Sequence, residues 1–416
     1  MSTQTPLFVI LAGGQGKRFA PLVTNKTVFP FMDQPLIKHQ LDQLHRVGVR
    51  QVLIATNADN HDYLQTLSIE DLEIQTKRQA EPLGMADAIL HLEPEIDKQP
   101  IVIMNAVDVV DDSLFKTLLD KIKTDQNDGL VTGIKVSEYF PGGYFKLDHD
   151  RVTGIIEKPQ PGNEPSDLVN LVFHYFRQPQ EFIELLKKIE TDTDDAYEQA
   201  LTQLMQQQEF GFVGYSGYWK KLKYPHFVLD VMQLFLDQVQ TQIDLSAQIS
   251  DQAVIEGQVF IDENVKIEAG AVIKGPVYIG PNTIIGNHVL IRQSMIERDS
   301  VIGFGSEVAR SYIGPGCALH HNFIGDSVLE AAVNPSFGTV TTNWRLDKQS
   351  IKLKTMTNKI DTHQNKLGTI FAKGVFCGVN CSFMPGVTIG ANTKIYPHSV
   401  ISKSLPADAT HKTSQD

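Results

Sequence analysis

Isoleucine stands at 243, 249, 255, 261, 267, 273, 279, 285 and 291, each six residues after the last. A helix repeats every 3.6 residues and a half-buried strand every two, so neither accounts for this spacing. A parallel β-helix of hexapeptide repeats does, because each short flat face then turns one aliphatic side chain inward, where it stacks on its equivalent one coil away. One repeat cannot bury its own face, so the coils must stack, and the terminal ones need a cap or a partner. The register slips after Arg292 and returns as Phe371, Cys377, Phe383, Ile389, Ile395 and Ile401. Between them, the polar, partly lysine-rich segment from Arg345 to Lys366 reads as a loop extruded from the coil. The apolar pattern near Phe227 to Val239 reads as a connecting helix.

The first half follows another rule. From Leu7 to Val110, strand-like runs (LFVILA, QVLIAT, IVIMNA) alternate with helical patterns at Leu36 to Val47 and Ala86 to Leu92. Such alternation predicts βαβ units, a mostly parallel Rossmann-like sheet with helices on both faces, and ligands at the carboxyl ends of the strands. The 416 residues therefore divide into an α/β domain over 1–230, a connecting helix over 231–242, a left-handed β-helix over 243–405 and a polar tail over 406–416.

A formal charge of -12 argues against a general nucleic-acid or anionic-membrane surface, so an anionic ligand must be met by a few local cations. No apolar run approaches the roughly 18 residues of a membrane span. The N-terminus lacks the basic region and cleavage site of a secretory signal. With Cys317, Cys377 and Cys381 in no metal-ligand pattern, the chain is read as soluble and cytoplasmic.

After the first strand the chain reads Gly13-Gly14-Gln15-Gly16-Lys17-Arg18, with Lys26 further on. Glycines let backbone N–H groups close around phosphate oxygens, and Arg18 and Lys26 supply charge for a triphosphate. A dinucleotide fold would want glycine at Phe19, and a P-loop would want Gly-Lys-Ser/Thr, so both fit worse.

GGQGKR, Lys26, the Pro30 to Pro35 stretch, QAEPLGMADA and EKP, in that order, resemble the sugar-1-phosphate nucleotidylyltransferases. With the β-helix, HHNFIGDSV and NPSFGTVTTNW, the chain resembles the bifunctional enzymes that also acetylate glucosamine-1-phosphate. The resemblance implies a nucleoside triphosphate and a hexose-1-phosphate as substrates, with an NDP-sugar (UDP-GlcNAc or UDP/dTDP-glucose type) and pyrophosphate as products. It implies that Gly13, Gly14 and Gly16 wrap the nucleotide phosphates, Arg18 and Lys26 stabilise the transition state, and Gln79 and Gly84 read the base. Asp108 would hold Mg²⁺, and Gly143, Glu157, Lys158 and Asn170 would hold the sugar and its phosphate. In the β-helix, His320 or its neighbour His321 would act as acetyl-transfer base, with Arg292, Asn334 and Lys366 contacting sugar phosphate or acetyl-CoA. A homotrimer or larger homo-oligomer is expected.

Several positions depart from the family's pattern. Lys221 stands where a second metal-binding Asp is usual, Val107 where glycine precedes Asp108, and Val172 replaces a glycine near the sugar. Ala309, with Arg310 beside it, stands for a phosphate-binding Lys, and Pro335-Ser336-Phe337 replaces small residues. These departures leave an alternative open: a catalytically weakened homologue that binds nucleotide sugars and regulates or scaffolds an active partner.

Overall fold

The computed structural model describes residues 5–149, 151–193, 195–354 and 359–412. The chain divides into two compact units, one comprising the residues up to Gln15 together with Ile37–Trp219, the other Gly16–Leu36 together with Lys220 onward.

In the first unit the apolar run Leu7–Leu11 is a strand paired in parallel with Gln51–Thr56 on one side and Ile101–Asn105 on the other. Glu73–Arg78 adds a further parallel strand beyond Gln51–Thr56. Past Ile101–Asn105 the sheet turns antiparallel through Leu168–Phe176, which also pairs with Gly129–Lys135 and Gly143–Asp148. The helix Met85–Ile96 buries Ala88, Ile89, Leu92 and Ile96 in a core shared with Val9, Leu53, Ile103 and Phe176. The helix Asp112–Thr124 starts where the Asp111 side chain accepts the Ser113 N–H, satisfying one otherwise orphaned donor of the first turn.

In the second unit the hexapeptides form the three-faced coil of a left-handed β-helix. Strands of two or three residues stack in parallel, from Gln242–Ile243 through Thr388–Ile389 on one face and from Val254–Glu256 through Val400–Ile401 on another. The isoleucines at 261, 267, 273, 279, 285 and 291 are at most 1% exposed, each contributing roughly 1.5–3 kcal/mol. Ile243 is 43% exposed because no coil precedes it. The register does not vanish after Arg292: Ile296, Ile302, Val308, Ile313, Leu319, Ile324 and Leu329 continue the same core. Steps of five among those of six shorten the coils, which the strict six-residue reading could not follow.

Corners explain much of the remaining sequence. Asn264, Asn282, Asp299 and Asn392 have positive φ at one corner, and His288, His321, Asn380 and His398 at another. Asn, Asp and His tolerate this left-handed conformation better than most side chains. The Arg345 to Lys366 segment is more than an extruded loop, since Lys352–Lys354 pairs with Lys359–Asp361 and Ile351 and Leu353 are buried. The helix seen near the junction is Phe227–Asp237, with Val228, Val231, Met232 and Leu236 buried. No helix among the described residues is long and apolar enough to cross a membrane.

Candidate active site

The end of the strand Leu7–Leu11 is continued by the hydrogen bond from Ala12 N to the Ala55 carbonyl, and the glycine loop leaves the sheet there. Gly13 is required by contact: a Cβ would lie 2.0 Å from Gln79 Oε1. The structure thus brings Gln79 and Gly13, two of the expected nucleotide residues, together. Gln79 is 2% exposed, and its Nε2 donates to Asp87 Oδ2 at 2.8 Å, which turns Oε1 toward the glycine. Gly84 precedes the helix Met85–Ile96 with φ 108, a conformation open to glycine alone.

Two residues invisible to motif reading brace this loop. Asn57 Nδ2 donates to the carbonyls of Gly13 and Gly14 at 3.1 and 3.2 Å, and Asn60 Nδ2 donates to the Ala12 carbonyl at 2.9 Å. Both asparagines are nearly inaccessible. The available signal was a polar cluster, Thr56-Asn57-Ala58-Asp59-Asn60, at the carboxyl end of a strand.

Asp108 is 2% exposed. Its Oδ2 accepts from Asn105 Nδ2 and its Oδ1 from Trp219 Nε1, each at 3.0 Å. Among the described residues no group of three or more His, Cys, Asp or Glu could hold a metal. A lone carboxylate still fits Mg²⁺, which takes one or two protein carboxylates and lets substrate phosphates and water complete its shell.

Three of the four expected sugar-phosphate residues lie on neighbouring antiparallel strands, Gly143–Asp148, Arg151–Glu157 and Leu168–Phe176, and Lys158 follows the second of them with φ 46. Gly143 is paired with Glu157, and a Cβ on Gly143 would stand 3.0 Å from Glu157 Oε2 and 3.6 Å from Asn170 Cβ. Lys158 Nζ pairs with Glu157 Oε1 at 2.6 Å. Asn170 Oδ1 lies 2.8 Å from His174 Nε2, and His174 Nδ1 lies 2.8 Å from the Tyr197 hydroxyl. Residues four apart on a straight strand are about 13 Å apart, so this contact needs the register shift between Leu171 and Tyr175. Burial pushes the His174 imidazole down to about 3, leaving it neutral. Because Oδ1 only accepts, Nε2 carries the proton and Nδ1 accepts from Tyr197. The Asn170 amide is thereby oriented, with its NH₂ group left to donate.

In the second unit Gly16 has φ 67, and a Cβ there would lie 3.5 Å from Lys26 Cε. Lys26 Nζ is 3.4 Å from the Lys223 carbonyl and 5.8 Å from the centroid of the Phe19 ring. Arg18 is exposed, while Lys221 is half-buried.

The β-helix candidates are not gathered into one cluster. His320 and His321 are exposed at a corner. His321 has φ 55 and stacks on Phe337 at 5.0 Å, whereas the His320 ring is tilted against Phe337 at 5.6 Å. Arg292 pairs with Glu307 at 2.5 Å, aligned through Ala309 with Gly325, at the opposite edge of the face from His320. Lys366 lies over Trp344 at 5.5 Å. Asn334 belongs to another face, paired with Phe376. Arg310 is held by Asp326 at 2.6 and 2.7 Å.

A phosphate-suited glycine loop at the end of a parallel strand and a hexapeptide β-helix together define a nucleotide-handling enzyme class. The chain belongs to the nucleotidyl transferase family, whose pattern matches residues 7–222. Residues 255–343 match the GMPPB C-terminal domain. A bifunctional sugar-1-phosphate nucleotidylyltransferase/acetyltransferase from Sulfurisphaera tokodaii is 28% identical over 403 residues, 95% of this chain and 97% of that one. The bifunctional protein GlmU of Methanocaldococcus jannaschii is 28% identical, with 96% of each chain covered. A crystal structure of UDP-glucose pyrophosphorylase complexed with UDP-glucose shares the fold, with TM-score 0.51 and 18% identity over 56% of this chain and all of that one.

Proposed function

We propose that this chain transfers a nucleotidyl group from a nucleoside triphosphate to a hexose-1-phosphate. The single observation that carries the reading is the end-to-end match to a sugar-1-phosphate nucleotidylyltransferase/acetyltransferase, and the close packing of Gln79 on Gly13 supports it. A phosphate oxygen of the sugar attacks the α-phosphorus in line, the bond to the β-phosphate oxygen breaks, and pyrophosphate leaves with the electron pair. The attacking oxygen is already an anion, so no general base is needed. Positioning and charge neutralisation suffice. Arg18 and Lys26 neutralise the phosphates, Gln79 and Gly84 hold the base, and Gly143, Glu157, Lys158 and Asn170 hold the sugar phosphate. Asp108 would hold Mg²⁺, which when bound supplies further positive charge to the phosphates.

The same relatives support a second activity, acetyl transfer from acetyl-CoA to a sugar amine, with His320 as base. Phosphate and acyl-donor contacts would come from Arg292, Asn334 and Lys366. Exposed apolar residues of the β-helix, among them Val254, Ile284, Val301 and Phe304, support a homotrimer or larger homo-oligomer. The cysteines at 317, 377 and 381 are free and buried, in keeping with a cytoplasmic site of action.

The deciding experiment measures pyrophosphate release across a panel of nucleoside triphosphates and hexose-1-phosphates with Mg²⁺. Turnover with any pair supports the enzyme. Silence with intact nucleotide-sugar binding favours the regulatory alternative, which the Lys221 substitution keeps open.

A further inference from the structure

Glu330 follows the strand Val328–Leu329 at a corner of the β-helix and is 2% exposed. Its carboxylate accepts the backbone N–H of Thr24 at 2.7 Å, that of Val23 at 3.1 and 3.2 Å, and that of Lys373 on the next coil at 2.8 Å. Burying a carboxylate costs several kcal/mol unless donors meet the charge. Here backbone donors meet it, and two of them belong to the segment Gly16–Leu36.

The fastening continues along the same side of the coil. Glu297, at the equivalent corner two coils earlier, accepts Asp33 N at 2.8 Å. Arg298 grips the Asp33 carboxylate at 2.5 and 2.6 Å. Between these corners Tyr312 donates its hydroxyl to the Pro30 carbonyl at 2.9 Å. Its ring packs 5.2 Å from Phe29 and 5.8 Å from Phe31. Apolar packing alone would hold the segment against the coil, but hydrogen bonds to its backbone also fix its conformation. The fastened points bracket Lys26: Val23 and Thr24 lie just before it, Pro30 and Asp33 just after. Fixing them also fixes where Lys26 passes Gly16, on which a Cβ would lie 3.5 Å from Lys26 Cε, at the turn that leads into Arg18.

We infer that Glu330 is a positioning residue for nucleotidyl transfer: with Glu297, Arg298 and Tyr312, it lets the β-helix set the conformation of the segment that presents Arg18 and Lys26. The inference rests on the nucleotidyl-transfer reading above. The β-helix is then part of the nucleotidyl-transfer machinery as well as a platform for a second activity.

The test combines hydrogen exchange and steady-state kinetics on the full-length chain, comparing wild type with Glu330→Ala, Glu330→Gln and Tyr312→Phe. In Glu330→Ala the amides of Val23 and Thr24 exchange at least about tenfold faster, a loss of about 1.4 kcal/mol of local protection, while those of Leu7–Leu11 are unchanged. The kcat falls about a hundredfold, as expected for a catalytic group displaced by about 1 Å, and KM for the sugar phosphate stays constant. Glu330→Gln, which keeps one acceptor oxygen, falls between wild type and Glu330→Ala. Tyr312→Phe keeps its ring and loses a single hydrogen bond, so it lowers kcat in a folded chain even where Glu330→Ala fails to fold. Unchanged exchange at Val23 and Thr24 overturns the inference, and so does faster exchange with unaltered kcat. A wild type silent across the substrate panel overturns the functional reading instead, and the exchange measurement alone then decides whether the β-helix fixes the segment.

Discussion

Acidification should unfasten the first unit through His174, and the size of the effect follows from its burial. The imidazole is completely inaccessible, and burial pushes it down to about 3 from an ordinary value of 6.5. A group whose folded value lies below its unfolded one stabilises fully above the unfolded value and loses that contribution as pH falls toward the folded one. At about 1.4 kcal/mol per pH unit, the interval corresponds to about 5 kcal/mol, of which about 2 kcal/mol is lost between pH 6.5 and 5. For a unit of this size that is a fall in melting temperature of about 4–8 °C. His174→Phe removes the titrating group and leaves Asn170 Oδ1 and the Tyr197 hydroxyl without this partner, at roughly 1–3 kcal/mol each. The variant should therefore melt lower at pH 7 but show a flatter decline toward pH 5. Its KM for the sugar phosphate should rise about tenfold, equivalent to about 1.4 kcal/mol of misdirected Asn170 contact, while KM for the nucleotide is unchanged. Melting curves of wild type and variant that fall in parallel from pH 7 to 5 would refute the reasoning.

Arg18→Ala should leave the melting temperature unchanged and lower pyrophosphate release at least about a hundredfold, the cost of one preorganised charge-stabilising donor; unaltered turnover removes Arg18 from the mechanism. Burial raises the Glu297 carboxyl to about 8, so the folded chain retains a proton that the unfolded chain releases near 4.5. The contribution of Glu297 to the second unit should decline as pH rises from about 4.5 to 8, opposite in sign to that of His174 in the first, so the stability of wild type relative to Glu297→Gln, measured by denaturation across this window, should fall with pH. His320→Ala should abolish acetyl transfer to a sugar amine and leave pyrophosphate release intact; a parallel fall in both would contradict the assignment of the two activities to separate sites.

The sequence by itself determined the elements whose cause is local. The six-residue isoleucine spacing specifies a coil because every face of a β-helix repeats the same short-range demand. The alternation of LFVILA, QVLIAT and IVIMNA with helical patterns specifies βαβ units for the same reason. Gly16 and Gly84 could be read from a glycine loop and a family motif, since what they supply is backbone freedom at one point of the chain; Gly13 stands in the same motif, but its reason, the packing of Gln79 against it, is tertiary. The shortened coils after Arg292 were harder to follow, because a five-residue step is visible only once the stacked partner is known.

Tertiary structure alone decided which polar side chains turn inward and what they hold. Asn57 supports a loop 44 residues away and His174 orients Asn170 only because a strand shifts register. Glu330 fastens Val23 across 307 residues of sequence. His321 proves to be a corner residue equivalent to His288 and His398, and Arg310 is already held by Asp326. No local pattern marks such residues. A buried charge or imidazole is tolerated only where distant donors and acceptors converge on it, and that convergence exists only after the chain has folded.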